Sequence, residues 1–294
     1  MSQLWNVASQ VQGALGAQYR PATENIAKET GLEPPVWTLL ATALSYEPEP
    51  ISVTQIQKRN PYTAAPTFEQ RFETLKTRGW FDSNAHKEYR LTDAGRAKLQ
   101  SILQTLRAHH ATIQPLPSVE MNRVAELLQR VVAAAENAPT PPGTWCITRA
   151  RRLKPADSAA PTTKIDHYLA CLNAFRDDAH LAAWRAHNIS GPAWEAFTLI
   201  WRGEAKTVDE LFQKLAPRGH AREIYAAVLK QLADKKWIEE NAGGYAATAR
   251  GQALREEVEA TTDKYFDGAH SLSDAENIEL LGLLEKFHGA LTTK

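Results

Sequence analysis

The densest cluster of chemistry-bearing side chains is Asp177, Asp178, His180 and His187. Carboxylates and imidazoles at short spacing are the usual ligands of a divalent metal. On a helix His180 and His187 stand two turns apart on one face, but the position four residues after His180 is Trp184, which cannot ligate. A convincing third ligand is lacking, so a helix cap or an ion pair is expected of the two aspartates and no metal is expected. Cys146 and Cys171 are the only cysteines, too few for a disulfide framework or a zinc cluster. No Ser-His-Asp order, phosphate-binding loop or glycine-rich dinucleotide turn appears. No cofactor is implied, and the residues make no case for an enzyme. The remaining chemistry is cationic. Arg149, Arg151, Arg152 and Lys154 form a basic run suited either to phosphates or to ion pairs with acidic helices.

Cations serve recognition only when rigid elements carry them to a partner, and the elements of this chain repeat. Trp37 recurs as Trp194 and Trp80 as Trp237, at one shared offset (194 − 37, 237 − 80). Pro35/Pro192 and Leu75/Leu232 keep that offset, while Tyr89/Tyr245 and Gly95/Gly251 slip by one residue. Aromatic and turn residues repeating in register point to internal duplication. In the first copy, 33–46 reads as a helix opening on proline and broken by Pro48 and Pro50, and 51–59 as a short second helix. A third helix over 67–80 takes Thr67 as its N-cap and ends at Gly79. Aromatic and leucine positions flank a turn-prone stretch in 80–91, which gives a small β-hairpin. Thr92 then caps a helix over 91–110, whose last residues, His109 and His110, are expected at a solvated end. The second copy runs through 191–203, 207–216, 220–237, a hairpin around 241–244, and 248–266. Helix, helix, turn, helix, hairpin, helix is the order of a winged helix-turn-helix.

The expected fold is mainly α: two winged helix-turn-helix modules with small β-hairpin wings, from internal duplication, related by a pseudo-twofold within one chain. The N-terminal module takes 1–114 and begins with an amphipathic helix over about 3–29. A connecting helix (118–136), a proline-rich linker (138–143) and the basic stretch, read as irregular, take 115–164. The C-terminal module takes 165–294, opening with a helix over 164–187 and ending with a packing helix over 272–291. With 294 residues, 43% hydrophobic and 23% charged, the composition is that of ordinary globular protein. No apolar run is long enough to span a bilayer and no secretory leader pattern is present, so no membrane partner and a cytoplasmic location are expected. Lys+Arg and Asp+Glu both total 34, for a net charge of zero. Non-specific DNA affinity comes mainly from phosphate neutralisation, so a DNA reader of this composition depends on a local patch.

The candidate patch for double-stranded DNA lies on the third helix of each module and on the first wing. Thr67, Gln70, Arg71 and Thr74 face outward in the first copy, and Arg218, His220 and Arg222 open the third helix of the second. His86, Lys87 and Arg90 sit on the first wing. These types suit base edges and phosphates. Glu69 and Glu73 count against a phosphate-facing surface, and the second wing tip, 240–245, carries no cation. Trp37, Trp184, Trp194 and Trp201 are candidate lining of a pocket for a small apolar or aromatic ligand, although aromatic residues at helical spacing also make plain core.

LTDAGRAKL (91–99), following a hairpin, resembles the wing-to-helix junction of MarR-like and PadR-like regulators. AFRDDAHLAAWRAHNISGPAWEAF (174–197) and LADKKWIEENAGGYAATARGQALREEVEATTDKYF (232–266) resemble a bacterial helix-turn-helix family, over about 115–294. The resemblance implies a MarR-like transcriptional regulator that binds duplex DNA and takes an apolar or phenolic ligand between its helical region and its winged helix. It implies either a monomer with pseudo-dimeric architecture or a homodimer. MarR-like wings carry an Asp-Arg pair at the tip, which 82–90 lacks. The alternative is a winged-helix scaffold that binds a protein or small molecule without reading DNA.

Overall fold

Prolines, glycines and hydroxyl caps divide this chain into helices and hairpins. The computed structural model describes residues 2–269 and 272–293. The first part comprises α1 (Gln3–Gln18), α2 (Arg20–Thr30), α3 (Pro34–Leu44), α4 (Val53–Arg59), α5 (Ala65–Thr77), β1 (Phe81–Ser83), β2 (Tyr89–Leu91) and α6 (Asp93–Thr112). A connecting part holds α7 (Ser118–Ala135), α8 (Trp145–Arg151) and α9 (Pro161–Arg185). Next come α10 (Gly191–Trp201), α11 (Val208–Lys214), a 3₁₀ turn (Ala216–Arg218), α12 (Arg222–Asp234), β3 (Ile238–Asn241), β4 (Gly244–Ala247) and α13 (Ala249–Asp267). The last helix is α14 (Asp274–Thr292). The described residues are mainly helical with two antiparallel strand pairs, β1–β2 and β3–β4, an arrangement consistent with winged helices.

The same local devices shape both hairpin-bearing parts. Ser52 with Gln55 makes a capping box at α4, and Thr207 with Glu210 makes one at α11. Thr92 Oγ1 accepts from Gly95 N at 3.0 Å and donates to Gly79 O at 2.6 Å. Thr248 Oγ1 accepts from Gly251 N at 3.1 Å and donates to Lys236 O at 2.7 Å. A Cβ at Gly95 would lie 2.0 Å from Trp80 O, and one at Gly251 would lie 2.0 Å from Trp237 O. Each threonine thus fastens a wing to the helix after it, and each glycine permits the approach.

Among the described residues three apolar cores result. Trp37, Leu40, Phe68, Phe72, Leu75 and Tyr89 fill the first winged part, where Tyr89 stacks on Phe72 at 4.1 Å. Trp184, Trp194, Phe197, Tyr225 and Leu232 fill the second. Between them α1, α7, α9 and α14 enclose a helical core including Val11, Leu15, Val124, Leu128, Leu172, Leu284 and Phe287. The α9 helix is buried nearly all round because one end serves this core and the other serves the second winged part.

Several local expectations are corrected. The segment 3–29 is two helices, since the chain turns at Tyr19 and Pro21 restarts it in the first turn of α2. The sequence groups this segment with the first module; the structure packs α1 on α14 and α9 instead. Thr67 is not an N-cap, because Pro66 fits the first turn and α5 begins at Ala65. The basic stretch is irregular over 152–160 as expected, but residues 145–151 form α8. His110 is buried rather than solvated, edge-on to Tyr19 at 5.0 Å.

Candidate nucleic-acid interface

In a helix-turn-helix the first turns of the third helix reach base edges, and the preceding turn sets their approach. The helices expected in that place are α5 and α12. The turn before α5 runs from Asn60 to Ala64, and the turn before α12 holds Arg218, Gly219 and His220. The structure brings these turns together. Ala64 N donates to Arg218 O at 2.8 Å. His220 Nε2 lies 2.9 Å from Tyr62 O, and since a carbonyl can only accept, that nitrogen carries the proton. Thr67 Oγ1 approaches Arg218 O at 3.5 Å. The Arg218 guanidinium is bidentate on Glu195, with Nε 2.9 Å and 3.0 Å from the two carboxylate oxygens. Thr67, Arg218 and His220 therefore lie in one contact between the winged parts.

The other candidates surround it. Gln70 is exposed on α5. Arg71 lies over Phe68 at 5.4 Å, and its pKa is drawn down by partial burial and the neighbouring Arg218 charge. Thr74 Oγ1 donates back to Gln70 O at 2.8 Å, and so is half engaged by its own helix. On the first wing His86 is exposed, Lys87 Nζ lies 3.3 Å from Glu69, and Arg90 donates to Pro48 O. Arg222 is paired with Asp209 at 2.6 Å. The second wing presents Glu239 and Glu240 to solvent and no cation.

The structure places Trp37 apart from Trp184 and Trp194. Trp37 belongs to the first core, while Trp184 and Trp194 stack at 5.9 Å inside the second. Arg255 lies 4.4 Å from the Trp194 ring and 4.9 Å from that of Trp201, filling the space between them. A cleft of about 200 Å³ is lined instead by Lys58, Trp145, Cys146, Asp178 and Arg185, among others. Another, of about 390 Å³, lies between Glu47, Pro48, Arg90 and Arg96.

The acidic and histidine cluster is structural. Asp178 accepts from Cys146 N at 2.8 and 3.0 Å and from Ile147 N at 3.1 Å, capping α8 from a neighbouring helix. Asp177 pairs with Arg59 at 2.7 Å. His180 Nε2 accepts from Trp194 Nε1 at 3.1 Å, and burial first, then Arg255 and Arg176, pull its pKa to about 4. The basic run is absorbed as well. Arg151 pairs with Glu136, Lys154 with Asp157, Arg152 donates to Ser45 O and Glu47 O, and Arg149 lies over Trp145 at 4.0 Å and Tyr46 at 4.8 Å.

A sequence profile described as a helix-turn-helix family matches residues 148–294. The chain belongs to that helix-turn-helix family. The matched region starts within α8 and takes in α9, the whole second winged part and α14. No curated protein and no solved structure matches the chain. Helix-turn-helix folds serve DNA binding generally; of the two candidate helices, α12 lies inside the matched region and α5 outside it. Tyr62 is the residue the sequence reading missed: an aromatic in a tight turn between helices, flanked by Pro61, is the signal that it docks elsewhere.

Proposed function

We propose that this helix-turn-helix protein is a DNA-binding transcriptional regulator of MarR-like type, built as a pseudo-dimer within one chain by internal duplication. The observation carrying this reading is the repeated geometry: matched capping boxes before α5 and α12, and matched threonine–glycine clasps behind both wings. Gln70, Arg71, Thr74, the first wing (His86, Lys87, Arg90) and Arg222 are the contacts available from solvent, with Thr67, Arg218 and His220 held back in the junction. Ligand modulation is part of the proposal, with the cleft beside Trp145 as the site, since Trp37, Trp184 and Trp194 are buried in the cores.

Binding of a fluorescent random-sequence duplex across a salt series tests it. The expected result is binding at low salt that weakens steeply as salt rises, because each neutralised phosphate releases counterions. Arg71→Ala and Arg222→Ala each flatten the slope by roughly one contact. A second reading, a winged-helix scaffold that binds a protein partner or small molecule without reading DNA, is favoured by Glu239 and Glu240 on the second wing. Absence of binding at low salt selects it.

A further inference from the structure

The contact between the two recognition turns has the build of a lock. Tyr62 leaves the first winged part and packs against the second core, 6.1 Å from the Trp184 ring, with the Arg218 guanidinium 5.7 Å from its own ring. Burial pushes its hydroxyl pKa up to about 12. The partner surface admits it through absent side chains. A Cβ on Gly191 would lie 2.3 Å from Pro61 O, and one on Gly219, which has φ of 74°, would lie 1.9 Å from Thr67 Oγ1. At the margin Arg59 pairs with Asp177 at 2.7 Å, and Arg185 donates to Lys58 O at 2.8 Å.

We propose that this junction is an autoinhibitory contact in which each recognition turn masks the other, so that reading a duplex requires the winged parts to separate. The proposal rests on the DNA-binding reading and adds its regulation. Thr67, Arg218 and His220 stand where base and phosphate contacts form in a helix-turn-helix, yet their polar atoms are spent on the opposite turn or on Glu195. The ties are of the kind a polyanion competes for. Phosphates compete with Asp177 for Arg59, and that pair, with each side chain more than a third exposed, is open to salt. DNA then selects the separated state by its differential affinity, and its apparent affinity is lowered by the fraction of molecules that are closed.

The test uses the full chain with spin labels at Lys76 and Lys230, exposed positions on α5 and α12, and measures both the inter-label distance and the affinity for a random-sequence duplex at low salt. Tyr62→Ala removes the anchor from one side. Gly219→Ala pushes on Thr67 from the other and serves if the first variant folds poorly. The expected result is a longer, broader distance distribution and affinity at least about ten-fold tighter than that of the parent chain. A longer distance with unchanged or weaker affinity, while the parent binds, overturns the lock and leaves the DNA-binding reading standing. Absence of binding in parent and opened variants alike removes that reading, and the lock with it.

Discussion

Asp178 shows how one side chain can organise a connecting segment. Its buried carboxylate takes the first free N–H groups of α8, so a helix of only 7 residues, too short to be stable alone, is nucleated from α9. Burial raises its pKa while those N–H groups oppose the rise. Asp178→Ala is expected to cost about 1–3 kcal/mol in urea unfolding, the penalty of orphaned buried donors. Asp178→Asn keeps an acceptor and is expected to cost less. His110 makes the complementary case. Neither ring nitrogen has a hydrogen-bond partner, and burial, then the charge of His109, lowers its pKa from 6.5 to about 4. The folded state therefore binds fewer protons than the unfolded chain between those values. The stability is fully present above pH 6.5 and is lost as pH falls toward 4. His110→Phe is expected to remove on the order of 1–2 kcal/mol of the acid sensitivity between pH 8 and 5, read from urea midpoints at each pH. An unchanged pH slope would show that His110 is not the titrating group.

At the scale of elements, the wing clasps predict matched behaviour. Gly95→Ala and Gly251→Ala each drive a methyl group into a tryptophan carbonyl, and both are expected to destabilise by about 1–3 kcal/mol, by similar amounts, in thermal unfolding. A large effect at one and none at the other would mean that the two wings are held differently. These elements were legible in the sequence because they are local. Thr92 and Gly95 lie within one turn, as do Thr248 and Gly251, and the apolar spacing around Phe68, Phe72 and Leu75 shows which face is inward. The rest depends on partners far along the chain. Tyr62 meets Trp184 only because the winged parts face each other, His110 is covered by Tyr19 from the turn between α1 and α2, and Trp194 is filled against by Arg255. Residue types at those positions fit a pocket, a surface or a core equally well. The placement of Arg218 and His220 inside a contact was hidden for the same reason: their spacing matches a recognition helix, while their neighbours come from the other half.

On the scale of the whole molecule, the central helical core joins the halves through α1. Leu4, Val7, Ala8, Val11 and Leu15 are buried there, against a core completed by Leu280, Leu284, Phe287 and Leu291 of α14. The exposed pairs across α7 and α14, Arg123–Glu279 and Lys286–Glu120, contribute little by comparison, since solvent screens surface ion pairs. Burial of a large aliphatic side chain is worth about 1.5–3 kcal/mol, so the stripe on α1 carries several times more. A fragment of residues 115–294, which contains the whole family-matched region, thus leaves the inner face of α14 and part of α9 uncovered. It is expected to bind a hydrophobic dye and to lose a sharp thermal transition although its own winged part is intact. Adding a synthetic peptide of residues 2–18 is expected to suppress dye binding and restore cooperative melting. A Val11→Asp, Leu15→Asp version of the peptide is expected to do neither. A fragment that melts sharply on its own would mean that α14 closes onto α7 and α9 without α1, and that the N-terminal helix is an addition to the core rather than a part of it.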